Sequence, residues 1–143
     1  MTVVAIHIGP VSGGPLEAVS SVRAFAGQGL EGDRNYQPSG VPAGEALTLV
    51  EEEAVEDVGL PPGATRRQLT VRGVRLNDLV GELFKVGDVE CVGVELCEPC
   101  LHLQELTRPG LIADLAHRGG LRADILSDGT ISVGDPLVTL RAT

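Results

Sequence analysis

The chain has 143 residues and 43% hydrophobic content, enough to bury one core and too little to promise two, so one domain over residues 1–143 is expected. A formal net charge of −9 repels a phosphate backbone, and two Phe, one Tyr and no Trp supply no stacking platform, so nucleic-acid binding is set aside and an aliphatic core is expected. The start lacks a basic leader and no segment approaches membrane-spanning length. Three cysteines are too few and too odd in number for a secreted disulfide framework, so a cytoplasmic chain with free thiols and no membrane partner is expected.

Taken in order, "VVAIHI" alternates as a strand would, with Val4, Ile6 and Ile8 on one face and Val3, Ala5 and His7 on the other. His7 there reads as a satisfied structural residue. "VRAFAG" is a second strand that runs into "QGLEGDRNYQPSGVPAG", a Gly- and Pro-rich stretch of the length that compact domains keep for function or mobility. "EALTLV" is a strand and "EEEAVEDVG" a short helix, acidic in its first turn and ended by Gly59.

"RRQLTVRG" reads as a strand on which Arg66 shares a face with Gln68, Thr70 and Arg72, while Arg67 points with Leu69 and Val71 toward the core. "VRLNDLVG" is a helical turn and "ELFKVGDVECVGVEL" a hairpin with a long, valine-rich second strand. "CLHLQELT" and "GLIADLAHRGG" are short helices, the second stopped by Gly119 and Gly120. "LRADILSDGTISVGDPLVTL" closes the chain as strands joined by an Asp128-Gly129 hairpin turn. The fold class that follows is mainly β with short helices, a barrel or sandwich and not a βαβ repeat.

The chemistry-bearing stretch is "VGVELCEPCLHL", Val92 to Leu103, which holds Cys97 and Cys100 on either side of Glu98 and Pro99. A zinc site would need Cys91, Cys97, Cys100 and His102 together, yet six residues of strand set Cys91 about 20 Å from Cys97. A dithiol pair at a strand-to-helix junction is the thioredoxin-like arrangement, though hairpins here replace the crossover helices of that fold. A single reactive sulfur is the third reading: proline favours the first helical position, which would put Cys100 in the first turn, near backbone N–H groups that stabilise a thiolate. Packing as small buried hydrophobes is the plain alternative, and it fits Cys91 best.

"RRQLTVRGVRLNDLVGELFKVGDVECVGVELCEPC" followed by "HRGGLRADILSDGTISVGDPL", with "GLEGDR" upstream, resembles the core of a MOSC domain, the module at the C-terminus of molybdenum-cofactor sulfurases. The resemblance runs from about Gly29 to Leu137 and keeps the order of the segments. It implies a MOSC-type β-barrel and a sulfur at Cys100 that carries a persulfide or ligates molybdenum. The relatives include mitochondrial amidoxime-reducing proteins and bacterial proteins that detoxify N-hydroxylated bases. Carried over by position, it implies cofactor contacts at Asp33 and Arg34, at Arg66 or Arg67, and at Arg118, Gly119 and Gly120.

Two positions depart from the family pattern. Asn35 stands where many relatives have histidine and Gln68 where asparagine is common, so no proton-transfer role is carried onto position 35. The N-terminal β-barrel domain of the larger enzymes is lacking, so part of any cofactor pocket is expected to be absent or to come from another chain.

A molybdopterin-type cofactor is an anion, and an acidic chain that holds it must gather cations locally. Ten of the eleven basic residues are Arg, the better bidentate phosphate ligand. Arg66 is favoured over Arg67 as the contact. Arg34 is either a ligand clamp or half of a surface pair with Asp33, and Arg118 either a ligand contact or a helix C-cap cation. Of the histidines, His117 alone is kept near a site. The expected function is sulfur transfer, or reduction of N-hydroxylated compounds, through Cys100 and a molybdenum cofactor. A cysteine desulfurase or a redox protein is the implied partner. A thiol-disulfide protein and a non-catalytic cofactor-delivery module are the alternatives.

Overall fold

Alternating and valine-rich segments become eleven strands in the computed structural model, which describes residues 1–140, the side chains of Leu101 and His102 excepted. The strands are β1 (Thr2–Ile8), β2 (Glu17–Val19), β3 (Ser21–Phe25), β4 (Gly29–Leu30), β5 (Leu47–Glu51), β6 (Leu69–Arg72), β7 (Leu83–Val86), β8 (Val89–Leu96), β9 (Leu121–Ile125), β10 (Gly129–Ser132) and β11 (Leu137–Thr139). Three short helices, α1 (Glu52–Asp57), α2 (Leu101–Leu106) and α3 (Leu111–Asp114), and a single 3-10 turn at Leu76–Leu79 complete the described elements. With 38% strand against 13% helix, the fold is mainly β, as its sequence implies.

Eight strands form one sheet in the order β11-β7-β8-β9-β5-β6-β1-β2, curled into a half-barrel, and β10-β3-β4 form a second. The two share one core, in which Ile131, Val22 and Leu30 of the small sheet join Leu49, Leu69, Phe84 and Leu121 of the large one. Phe84 is the only aromatic in that cluster, so the core is aliphatic as expected.

Three readings of the chain are corrected. In β1 the pairing with β6 slips between Val3 and Ala5, and this bulge puts Val3 and Ile6, three residues apart, into the same core; strict alternation fails there. Asp128 and Gly129 do not close a hairpin, because β9 pairs with β8 and β5 while β10 pairs with β3. Asp128 instead accepts a hydrogen bond from the Ala26 N–H at 2.7 Å, tying the crossing between sheets to the end of β3. The helix at α3 stops at Asp114, and His117 takes the left-handed backbone (φ 62°) before the glycine pair is reached. The expected absence of a βαβ repeat holds, although β5 and β6 run parallel and are linked through α1, a single βαβ unit inside an otherwise antiparallel sheet.

The helices are placed by a second, smaller cluster. Ala54 of α1, Leu103 of α2, and Leu111 and Leu115 in and after α3 are all buried together, with Val58 and Leu60 against them. Burial of Leu103 therefore sets the position of α2, and with it the cysteine just before that helix.

Candidate functional site

The site is assembled where β8 ends and the chain turns toward α2. Cys97 donates its backbone N–H to the carbonyl of Gly120 at 2.8 Å, extending the β8/β9 ladder by one bond. A Cβ at Gly119 would overlap the carbonyl oxygen of Cys97 and crowd the Pro99 ring, and one at Gly120, where φ is +119°, would overlap the carbonyl oxygen of Leu49. The glycine pair thus permits close approach to protein backbone, pressing the cysteine loop onto the sheet.

Arg67 locks the same loop from inside. Its guanidinium donates to the carbonyls of Gly119 (2.8 Å), Cys97 (2.9 Å) and Thr65 (3.1 Å). The residue is buried, and burial pushes its pKa below the ordinary arginine value, with Cys97 nearby acting in the opposite sense. Among the described residues no carboxylate lies within ion-pair distance of Arg66 or Arg67, although the chain has twenty acids.

The three cysteines are free and differ sharply in setting. Cys91 faces the core from β8, opposite Phe84 and Ile125, and burial, with help from Glu90, pushes its thiol up to about 12. Cys97 is buried and Cys100 exposed. Pro99 does not begin α2, as was expected; Cys100 is the extended N-cap residue, and its Sγ accepts a hydrogen bond from the Leu103 N–H at 3.5 Å. No three His, Cys, Asp or Glu side chains gather as a metal set among the described residues, and the side chain of His102 lies outside them.

Cys97 and Cys100 open onto a cavity of about 190 Å3 whose rim carries Arg34, Arg66, Arg67 and Arg122. An adjoining cavity of about 250 Å3 shares Arg34, Asn35, Thr48 and Arg122 with it. Asp33 does not line either; it is buried and accepts bonds from the Gly9 N–H (2.9 Å), the Asn35 N–H (3.1 Å) and Gln68 Nε2 (2.9 Å). Gln68 in turn accepts from the Thr48 N–H at 2.9 Å through Oε1, so Asp33 and Gln68 fasten the loop bearing Arg34 to the start of β5. Arg34 sits 3.6 Å from Asp33 and remains partly exposed at the cavity.

The expected strand faces around Arg66 do not hold. β6 begins only at Leu69, because residues 63–66 form a turn closed by the Arg66 N–H on the Gly63 carbonyl, and Arg66 itself has φ 62°. Its side chain donates to the carbonyl of Gly14 at 2.9 Å and lines the cysteine cavity. Arg118 is not brought to the cavity; it pairs with Asp57 at 3.0 Å on the surface. Exposed His117 sits outside as well, bonded through Nδ1 and its backbone N–H to Glu98, the residue between the two cysteines.

Arg122 and Thr48 were not anticipated. The signal for Arg122 is in "LRADI": Leu121, Ala123 and Ile125 are buried, which turns Arg122 to the other face of β9. The site of Thr48 had no such signal, since it depends on β5 lying beside the loop before β6.

The MOSC domain profile matches residues 36–138, beginning just after Asp33 and Arg34. No curated protein matches the chain in sequence. The fold is similar to that of the YuaD protein from Bacillus subtilis (TM-score 0.80, 15% identity, 99% of this chain and 96% of that one). It is also similar to YiiM from Geobacillus stearothermophilus (TM-score 0.71, 20% identity, 98% and 75%) and YiiM from Escherichia coli (TM-score 0.70, 16% identity, 100% and 71%). With the sequence profile spanning residues 36–138 of 143 and the half-barrel in common, this chain belongs to the MOSC domain family.

Proposed function

We propose that this chain is a cytoplasmic, one-domain MOSC protein that performs sulfur or molybdenum-cofactor chemistry through Cys100. The observation that carries the reading is one juxtaposition: the exposed cysteine shares a cavity with four arginines in a chain of net charge −9. Such a ring gathers positive charge beside the sulfur, even with Arg34 facing Asp33 and Arg122 facing Glu95, and favours an anionic ligand there.

The residues suit a molybdopterin-type cofactor in donor chemistry: a soft thiolate for the metal and planar guanidinium groups for phosphate. Arg34, Arg66 and Arg122 would hold the anionic part and Cys100 would be the metal ligand. When bound, the cofactor supplies two-electron redox chemistry suited to reducing N-hydroxylated compounds. Arg67 has the different task of holding the cysteine loop in place.

In the sulfur-carrier form of the reading, the Cys100 thiolate attacks the outer sulfur of a donor persulfide, such as that of a cysteine desulfurase. A new sulfur–sulfur bond forms at Cys100, the donor's own breaks, and the donor leaves as thiolate. Three free cysteines, and among the described residues no helix long and apolar enough to cross a membrane, accord with a reducing compartment.

The test is elemental, pterin and intact-mass analysis of the protein purified from cells given molybdate, as wild type and Cys100→Ser. Molybdenum with pterin, or a sulfane-sulfur adduct, is expected in the wild type and lost in the variant. Equal modification of all three cysteines would overturn the reading. A reversible Cys97–Cys100 disulfide, abolished by Cys97→Ser, would replace it with dithiol exchange, and the absence of metal, pterin and adduct would leave a non-catalytic module.

A further inference from the structure

A larger cavity, of about 420 Å3, shares Arg66 with the cysteine cavity but contains no cysteine. It lies among the end of β1, the segment leading into β2, the 62–66 turn and the C-terminal end of α2. Leu16, Ala18, Pro62 and Leu106 supply the apolar part of its wall, and Leu106 keeps 52% of its surface exposed. Three polar side chains border it: Thr107, whose hydroxyl donates to the Leu103 carbonyl at 2.8 Å, and the pair Arg66 and His7.

Arg66 and His7 both carry unmet capacity. Arg66 has no carboxylate partner among the described residues, whereas six other arginines do. It is held in a backbone conformation that side chains rarely adopt, with one guanidinium nitrogen anchored on the Gly14 carbonyl. His7 was expected to be satisfied and is not: it is only 8% exposed, yet its Nδ1 is sealed without any hydrogen-bond partner. Burial lowers its pKa from the ordinary histidine value, which favours the neutral ring. The imidazole lies against Gly63, where a Cβ would collide with Nε2. With Nδ1 sealed, Nε2 is the nitrogen a bound ligand reaches.

We propose that this cavity binds a small organic carboxylate with an aliphatic body, its carboxylate on Arg66, its chain against Leu16 and Leu106, and His7 at its polar edge. A fixed cation beside a few apolar side chains and one neutral imidazole is the pattern of a small-molecule site. The site stands apart from the sulfur chemistry at Cys100, although a shared Arg66 would let occupancy of one cavity be felt in the other.

Amide NMR titration of the full chain with hexanoate, hexanol and acetate tests it. Hexanoate should give saturable shifts at Ala18, Gly63 and Ala64, with hexanol and acetate each weaker by about tenfold or more, one lacking the charge and the other the chain. Arg66→Gln and the surface variant Leu106→Asp should each weaken hexanoate by about tenfold. Cys100→Ser should leave it unchanged, which separates this site from the reading at the cysteine. Hexanol binding as well as hexanoate, no saturable shift at millimolar hexanoate, or unchanged binding in both cavity variants would overturn the proposal.

Discussion

Arg67 donates to the backbone carbonyl of Cys97 at 2.9 Å, across thirty positions of sequence, so the turn before β6 and the loop after β8 are held as one unit by a buried cation. The bond is to the cysteine's backbone and leaves its sulfur available to the cavity.

Replacing Arg67 by Met should therefore loosen this unit. The carbonyls of Thr65, Cys97 and Gly119 lose their donor in a buried place, each at a cost on the order of 1 kcal/mol, while removal of a desolvated charge returns part of it. A net loss of about 2 kcal/mol in urea unfolding is expected, with faster alkylation of Cys97. A variant as stable as wild type would show that the guanidinium does not hold the loop.

Gly119→Ala should be far more damaging than Gly59→Ala, although both follow a short helix. A Cβ at Gly119 overlaps the Cys97 carbonyl and the Pro99 ring; one at Gly59 meets open space and strains only a positive φ. Losses of about 3 and about 1 kcal/mol are expected, read as thermal midpoints. Equal midpoints would remove the steric account of the glycine pair.

The arginine rim makes a prediction about reagent charge. Cys100 should react with anionic iodoacetate faster, relative to neutral iodoacetamide, than a chain of net charge −9 would otherwise allow. Arg34→Gln and Arg122→Gln should each lower that ratio about threefold to fivefold, as loss of roughly 1 kcal/mol of attraction implies. Arg118→Gln, out at its pair with Asp57, should not move it.

Cys91 should shape stability in alkali. Its thiol is held protonated up to about 12 in the folded protein against an ordinary value of 9.0. Above pH 9 the unfolded chain releases this proton and the native state keeps it, so stability falls as pH rises from 9 toward 12. The slope approaches about 1.4 kcal/mol per pH unit. Comparison with Cys91→Ala across that range isolates the contribution; parallel curves would place Cys91 outside the core.

Much was legible from residues alone because the signals are local. Strand-forming runs, the aliphatic core and the β7/β8 hairpin follow from side-chain type and alternation, and the ordered motifs carry the MOSC resemblance that the profile match bears out. Just before the cysteine stretch, Cys91 as packing was also readable, and it shares the buried face of its strand with Val89 and Gly93.

What the chain could not disclose depends on groups distant in sequence. The Asp128-Gly129 pair has hairpin chemistry, but β3 outcompetes β9 as partner for β10, and only the assembled core decides that. Arg66 and Arg67 are neighbours in sequence, yet a turn closed on Gly63 places Arg66 between both cavities, whereas Arg67 is buried under the cysteine loop and meets only the cysteine cavity. Gly119 and Gly120 looked like room for a ligand and are room for the backbones of Cys97 and Leu49. Residue types and spacing determined that this protein is an aliphatic β fold with a cysteine pair. Tertiary packing, which alone chooses between competing partners for the same strand, donor or side chain, decided that Cys100 is the exposed sulfur and which arginines surround it.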